Sequence, residues 1–190
     1  MLWLFNVQPW ALRKEVTYTT DQGAVNVLVE KAGKPVTQAA CQTVPVSIDF
    51  GTLSATSAAV AKQDIEHALI HVSETTGLIF VEAEKGSLII KIEDTGGQTL
   101  GDAIPGYMDL ALGQDHYSGG QLRFDPDLWE RFNEGQRQKV LLHELGHYLG
   151  LGHSTDDSDV MVTHSHIMER TSYSAQETAA LHELYPHCNK

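Results

Sequence analysis

The chain has 190 residues, and 42% of them are hydrophobic, which is enough for the core of one domain with an appendage. Thirteen basic against twenty-five acidic residues give a net charge of -12, which repels nucleic-acid phosphates and anionic membranes. No apolar run has the length of a membrane span, and Met1–Phe5 lacks the basic leader of a signal peptide. Cys41 and Cys188 either form one disulfide or stay reduced. We therefore expect no nucleic-acid partner and no membrane span. We also expect the chain to be a monomer.

Residues 1–43 are predicted to form an N-terminal extension that contains a β-hairpin. Val16–Thr20 and Ala24–Glu30 have the composition of strands, and the turn signal Asp21-Gln22-Gly23 separates them. Three interpretations stay open for this extension: extra strands at the edge of a larger sheet, a small separate lobe, or a pro-segment.

From residue 44 to the end, the pattern predicts a single α+β domain. Apolar residues alternate along Val44–Phe50, which indicates a strand, and recur at helical spacing over Thr56–Thr76, which indicates a helix that ends at Gly77. The compact apolar runs Leu78–Val81 and Leu88–Ile92 predict strands in the sheet interior. A last core strand is predicted over Gly119–Phe124.

Two further helices are predicted from their start signals. Asn133 with Gln136 forms a capping-box pair before the central helix, and Ser174 with Glu177 forms one before a C-terminal helix. Pro186 is predicted to end the C-terminal helix.

The strongest chemical signal is the stretch HELGHYLGLGH, which begins at His143. Residues four apart on a helix project from one face, so His143 and His147 can hold one metal ion with Glu144 beside them. Gly150 can adopt the left-handed conformation that ends a helix, and the resulting turn brings His153 back as a third ligand. The sequence therefore predicts a metal site with three histidine ligands.

Three histidines leave the fourth position of a tetrahedral zinc site open for water, which distinguishes a catalytic site from a structural one. Zinc would polarise a scissile carbonyl and acidify the water, while Glu144 takes the proton as general base and passes it to the leaving amine. We therefore predict that the chain uses one catalytic Zn2+ to hydrolyse amide bonds.

The stretch resembles the long motif of the metzincin clan of zinc endopeptidases, in which a methionine-containing turn follows the third histidine. Met161 lies eight residues after His153 and matches that turn. Within the clan, the chain is most similar to the matrixins, the matrix metalloproteinase family, over roughly residues 44–185. The stretches that carry this similarity are Ser154, Gly119–Asp125, Tyr173–Glu177 and Leu184-Tyr185.

The resemblance implies a metzincin fold, with a twisted, mostly parallel five-stranded sheet, one antiparallel edge strand, two long helices and a C-terminal helix. The resemblance of this stretch to a family of proteases implies, more narrowly than amide hydrolysis, a zinc metalloendopeptidase that acts on protein or peptide substrates. It also implies that Met161 supports the metal site. An extended substrate would add itself to the edge strand through main-chain hydrogen bonds. The substrate-binding residues predicted in that strand, Gly106–Leu112, are Tyr107, Met108, Asp109, Leu110, Ala111 and Leu112.

The sequence matches some other properties of the matrixins and lacks the residues for others. Matrixins are secreted, so an extracellular location is implied. They also bind Ca2+ and a structural zinc; several aspartates leave calcium open, whereas Thr95–Pro105 has no histidine for the second zinc. Residues 1–43 lack the helices and the Pro-Arg-Cys-Gly motif of the family's propeptide.

Two alternatives to an active enzyme stay open. A latent or non-hydrolytic zinc-binding module would have its cleft filled by residues 1–43 or by a partner, but Glu144 would then have no chemical role. A structural zinc domain would need a fourth protein ligand, for which Asp156, Asp157 and Asp159 are the candidates.

Overall fold

The computed structural model describes residues 15–20, 23–28, 30–96, 99–107, 116–163 and 168–186. The predictions for Met108–Leu112 and Cys188 lie outside these ranges. Within them, no helix is both long enough and apolar enough to cross a membrane.

A mixed sheet forms one layer of the domain. Its strands are β5 (Thr37–Gln38), β6 (Thr43–Asp49), β7 (Ile79–Glu82), β8 (Leu88–Ile92), β9 (Gly101–Tyr107) and β10 (His116–Phe124). β7, β6, β8 and β10 lie side by side in parallel, and β9 pairs antiparallel with β10. The predicted five-stranded, mostly parallel sheet is confirmed, and the two-residue β5 adds a short parallel pairing at the start of β10.

The helices are α1 (Ala55–Thr76), α2 (Asp127–Arg131), α3 (Glu134–Leu149) and α4 (Ala175–Leu184). α1 ends where Gly77 adopts the left-handed conformation, with φ 71°, as predicted. Both predicted capping boxes are present, at Asn133 before α3 and at Ser174 before α4. The apolar faces of α1 and α3 share one buried cluster with β6, β8 and β10, so the core lies between the sheet and these helices.

Two predictions about the edges of the sheet need correction. β7 is an edge strand rather than an interior one, because it pairs only with β6 among the described strands, and Ile79 and Val81 are 57% and 47% exposed. Its apolar run therefore does not reflect burial on both faces. The antiparallel edge strand β9 begins at Gly101, earlier in the chain than the predicted Gly106–Leu112.

The N-terminal segment packs on the domain. β1 (Val16–Thr20) and β2 (Gly23–Val27) form the predicted antiparallel hairpin, followed by the short pair β3 (Glu30–Lys31) and β4 (Lys34–Pro35). Val25 is buried in the main core, and the hairpin contacts α4. Cys41 is disulfide-bonded. Residues before 44 therefore contribute both to the sheet, through β5, and to the core.

Candidate metal centre

Helix α3 carries His143, Glu144 and His147 in its last two turns. The helix is fixed on the core by buried apolar side chains, namely Val140, Leu141, Leu142, Leu145 and Leu149. Because these side chains determine the rotation of the helix, they also determine where the two histidines and the glutamate point.

Gly150 ends α3 with φ 105°, a conformation that residues with a Cβ rarely adopt. A Cβ at this position would also come within 2.7 Å of the Val36 carbonyl oxygen. The Leu151 amide bonds back to the Gly146 carbonyl oxygen, which closes the turn and returns His153 toward the helix.

The structure brings all three predicted ligands together. One side-chain nitrogen from each of His143, His147 and His153 lies within 4.8 Å of the others, and the ring centroids are 4.6–5.5 Å apart. This is the single group of three or more such side chains found among the described residues. It includes none of Asp156, Asp157 and Asp159, the candidates for a fourth protein ligand.

Each imidazole has a hydrogen-bond acceptor at Nδ1. The acceptors are the Val160 carbonyl for His143 at 2.9 Å, the Leu151 carbonyl for His147 at 2.8 Å and the Glu15 carboxylate for His153 at 2.8 Å. A carbonyl oxygen only accepts, so Nδ1 of His143 and of His147 carries the proton and Nε2 keeps its lone pair. This donor set fits zinc, which binds neutral imidazole nitrogen.

Burial also favours the neutral form of the two helical histidines. It lowers the pKa of His147 to about 4 and also strongly lowers the pKa of His143. Neutral imidazole is the form that coordinates a metal, so these two rings are available as ligands at neutral pH without first losing a proton.

Glu144 is buried, with 7% of its surface exposed. Burial and, second, the negative charge of Asp102 raise its pKa to about 8. The start of β9 packs directly against it, because a Cβ at Gly101 would lie 2.8 Å from the Glu144 Cγ. The side chain of Glu144, the predicted general base, is therefore packed between its own helix α3 and the antiparallel edge strand β9.

Met161 is 2% exposed and packs directly on α3. A Cβ at Gly146 would come within 2.3 Å of the Met161 sulfur, so this glycine permits the close approach. The turn that contains Met161 is held on two sides: Glu177 accepts hydrogen bonds from the Val160 and Met161 amides at 3.1 and 2.8 Å, and the Lys139 ammonium donates to the Val162 carbonyl at 2.9 Å.

Sequence reasoning missed three of these supporting residues. Glu177 was predicted only as a capping residue, and the same carboxylate also holds the turn around Met161. Lys139 is 1% exposed and lies one helical turn before His143. Its position directly before the apolar run Val140–Leu142 could have indicated a buried cation. Glu15 had no local signal, since it lies 138 residues from His153 in the chain.

The predicted substrate-binding residues are described only in part. The backbone of Tyr107 is the last position of β9, opposite Ser118 of β10, and Met108–Leu112 lie outside the described residues. Within the described ranges, β9 pairs on one side only, with β10.

A sequence profile of the matrixin family, peptidase M10, matches residues 40–186. Interstitial collagenase from Bos taurus is 33% identical over 111 residues, which are 55% of this chain and 24% of the collagenase. Macrophage metalloelastase from Oryctolagus cuniculus is 31% identical over 136 residues, or 65% of this chain and 29% of the elastase. The chain thus covers less than a third of the length of these relatives.

Two solved structures of myroilysin have a similar fold. One superimposes with a TM-score of 0.56 at 11% identity, covering 80% of this chain and 83% of that one. The other gives 0.54 at 13% identity and covers 84% and 89%. At this level of identity, the likeness concerns the fold alone.

Proposed function

Because the chain belongs to the matrixin family of zinc metalloendopeptidases, we propose that it is itself a zinc-dependent endopeptidase, with His143, His147 and His153 as the zinc ligands and Glu144 as the general base. The observation that carries the proposal is the cluster of three histidines, whose ligand atoms lie within 4.8 Å of one another beside a buried glutamate. With three protein ligands, a tetrahedral ion keeps one position for water or substrate.

Zinc, when bound, supplies Lewis acidity toward the scissile carbonyl and makes water a stronger acid. The protein supplies three neutral imidazoles on a packed helix and its closing turn. Because Nδ1 of His143 and of His147 donates to a backbone carbonyl, rotation of each ring would break a hydrogen bond of 2.8–2.9 Å. The protein thereby holds Nε2 of both rings toward one point.

Glu144 accepts the proton of the attacking water and passes it to the nitrogen of the leaving amine. Both transfers require a carboxylate that can hold a proton for part of the cycle. Burial favours the protonated form, and a divalent cation nearby favours the ionised form. These opposing influences suit a group that is a base in one step and an acid in the next.

The substrate is proposed to bind as an extended strand beside β9, with Tyr107–Leu112 as its binding residues. Two observations support this: within the described residues, the edge of β9 away from β10 has no strand partner, and Gly101 at its start packs against Glu144. A peptide held there by main-chain hydrogen bonds would present its carbonyl to the histidine cluster.

Three further features are proposed from family membership alone. They are secretion, calcium binding and a monomeric state. Among the described residues, the histidine cluster is the one group of three or more potential ligand side chains, so a calcium site would need main-chain oxygens, water or residues outside that part of the chain.

The proposal is tested by cleavage of a mixture of quenched peptides by the zinc-loaded chain, with mass spectrometry of the products. We expect Glu144→Ala to lower kcat/KM by about 10²–10⁴-fold with unchanged zinc content, since it removes the base and leaves the ligands. Glu134→Ala, at an exposed position on the same helix, is the matched control and should cleave like the parent.

Two results would contradict the proposal. A zinc-loaded parent that leaves every peptide intact has no endopeptidase activity. Equal cleavage by the parent and by Glu144→Ala would mean that Glu144 is not the base, or that a contaminating protease is responsible.

A further inference from the structure

The acceptor for the third histidine comes from a different part of the chain than the other two acceptors. Leu151 and Val160, which serve His147 and His143, lie 4 and 17 residues from those rings. Glu15 lies 138 residues from His153, outside the segment 40–186 that matches the family profile. The family-matched region therefore supplies two of the three Nδ1 acceptors, and the N-terminal segment supplies the third.

The Glu15 carboxylate contacts His153 with both oxygens. Oε1 lies 2.8 Å from the ring Nδ1, and Oε2 accepts a hydrogen bond of 2.8 Å from the backbone amide of the same residue. One rigid carboxylate thus fixes the ring relative to its own backbone. A glutamate side chain is ordinarily ionised at neutral pH, so both of its oxygens can accept these hydrogen bonds.

The hairpin around Glu15 is anchored to the same loop by its backbone. Asn26 accepts from the Gly152 amide through its carbonyl oxygen at 2.7 Å, and its side-chain amide donates to the His153 carbonyl at 2.7 Å. The Leu28 amide donates to the Gly150 carbonyl at 3.0 Å. The loop from Gly150 to His153 therefore pairs antiparallel with the end of β2, with Leu151 opposite Val27.

Gly152 provides the space for this arrangement. A Cβ at this position would come within 2.8 Å of Glu15 Oε2 and 3.0 Å of Asn26 Cβ. At the other end of the hairpin, the Gln176 side chain of α4 donates to the Ala24 carbonyl. The hairpin is thus held at both ends.

We infer that Glu15 is a positioning residue for the metal site, which fixes the tautomer and orientation of His153, and that the β1–β2 hairpin is an integral part of the zinc-binding unit. This inference rests on the proposed function, since it takes His153 to be a zinc ligand. A carboxylate on Nδ1 places the proton there, keeps Nε2 as the lone-pair nitrogen and makes the imidazole a better donor to a metal.

His153 depends on this contact more than His147 depends on its own. Its side chain is 43% exposed, whereas His147 is 9% exposed. Packing restrains a buried ring even without its hydrogen bond, and an exposed ring lacks that restraint.

The test measures the zinc dissociation constant of the full chain by competition with a chromophoric chelator. Glu15→Gln keeps the size and one acceptor oxygen but removes the charge, and Glu15→Ala removes both. We expect binding weaker by about tenfold for Glu15→Gln and by up to about 100-fold for Glu15→Ala. Glu30→Gln removes the same charge from an exposed position in β3 and should bind like the parent.

Two parallel measurements separate positioning from general stability. The unfolding midpoint of the metal-free variants reports stability, and the absorption spectrum of the cobalt-loaded variants reports ligand geometry around the ion. A residue that only stabilised the fold would lower the midpoint and leave the zinc affinity and cobalt spectrum of the folded protein unchanged. That result, in the near-isosteric Glu15→Gln, would overturn the inference.

His153→Ala keeps this inference distinct from the proposed function. If His153→Ala weakens zinc binding and both Glu15 variants bind like the parent, the inference fails and the ligand set stands. If His153→Ala also binds like the parent, the ligand set of the proposed function is wrong. None of these readouts depends on peptide cleavage.

Discussion

The three histidines of the candidate metal centre are supported in two different ways. His143 and His147 lie on α3, and their Nδ1 atoms donate to backbone carbonyls 17 and 4 residues further along the chain. His153 lies on the loop after α3 with its side chain 43% exposed, and its partner is the Glu15 side chain from the N-terminal segment. The first two are therefore fixed by the core, whereas the third is fixed by a contact between distant parts of the chain.

This difference indicates where the site is weakest. The support of His143 is itself reinforced, because Glu177 and Lys139 hold the turn that supplies its acceptor. The support of His153 consists of one carboxylate and one asparagine on a two-stranded hairpin. Loss of metal, or of one supporting side chain, should therefore affect the loop of His153 before it affects α3.

The largest effect is expected from zinc removal. At zinc concentrations 100-fold above the dissociation constant, binding adds about 2.7 kcal/mol to the free energy of unfolding, so chelation should lower Tm by roughly 5–10 °C in a chain of this size. Hydrogen exchange should show a greater loss of protection at Gly150–His153 than at Val160–Val162. An equal loss of protection in the two segments would contradict the inference that the support of His153 is weaker than that of His143.

A smaller effect, on the core side, is expected for Glu177→Gln. The carboxylate accepts from the amides of Val160, Met161 and Ser174 while 1% exposed, and an amide group would turn a donor toward one of these donors. We expect a loss of about 1–2 kcal/mol in the free energy of unfolding, measured in urea. Glu130→Gln, on the exposed side of α2, is the control, and an equal effect there would refute a specific role for Glu177.

The smallest effect is expected on the hairpin side, for Asn26→Ala. This change removes the bond to the His153 carbonyl but leaves Glu15 in place, so we expect a loss of about 0.5–1.5 kcal/mol and a smaller rise in the zinc dissociation constant than for Glu15→Ala. Thr19→Ala, at an exposed position of β1, should change neither quantity. Zinc binding as weak as in Glu15→Ala would instead assign the support of His153 to Asn26.

Much of the fold followed from local patterns. The capping boxes at Asn133 and Ser174, the helix end at Gly77 and the alternating apolar residues of β6 were predicted and are present. Such features depend on residues within four positions of each other, so a single sequence contains the necessary information. The edge position of β7 was predicted wrongly, because an apolar run does not specify how many neighbours a strand has.

The candidate site likewise combines features that local sequence predicts with contacts that it does not predict. The spacing of His143, His147, Gly150 and His153 determines, through helix geometry and one left-handed turn, that the three imidazoles can meet. The Nδ1 acceptors lie 4 residues away for His147, 17 for His143 and 138 for His153. Contacts between residues farther apart in the chain are harder to predict from sequence.

The sequence by itself determined the residues of the candidate site: three histidines and one glutamate at the spacing that a helix and a glycine turn bring together. Only the tertiary structure decided which groups hold those side chains in place. Glu15, Lys139 and Glu177 reach the centre because the hairpin, α3 and α4 pack around one loop. Contacts of that kind depend on how whole elements are arranged in space, and no short-range pattern encodes them.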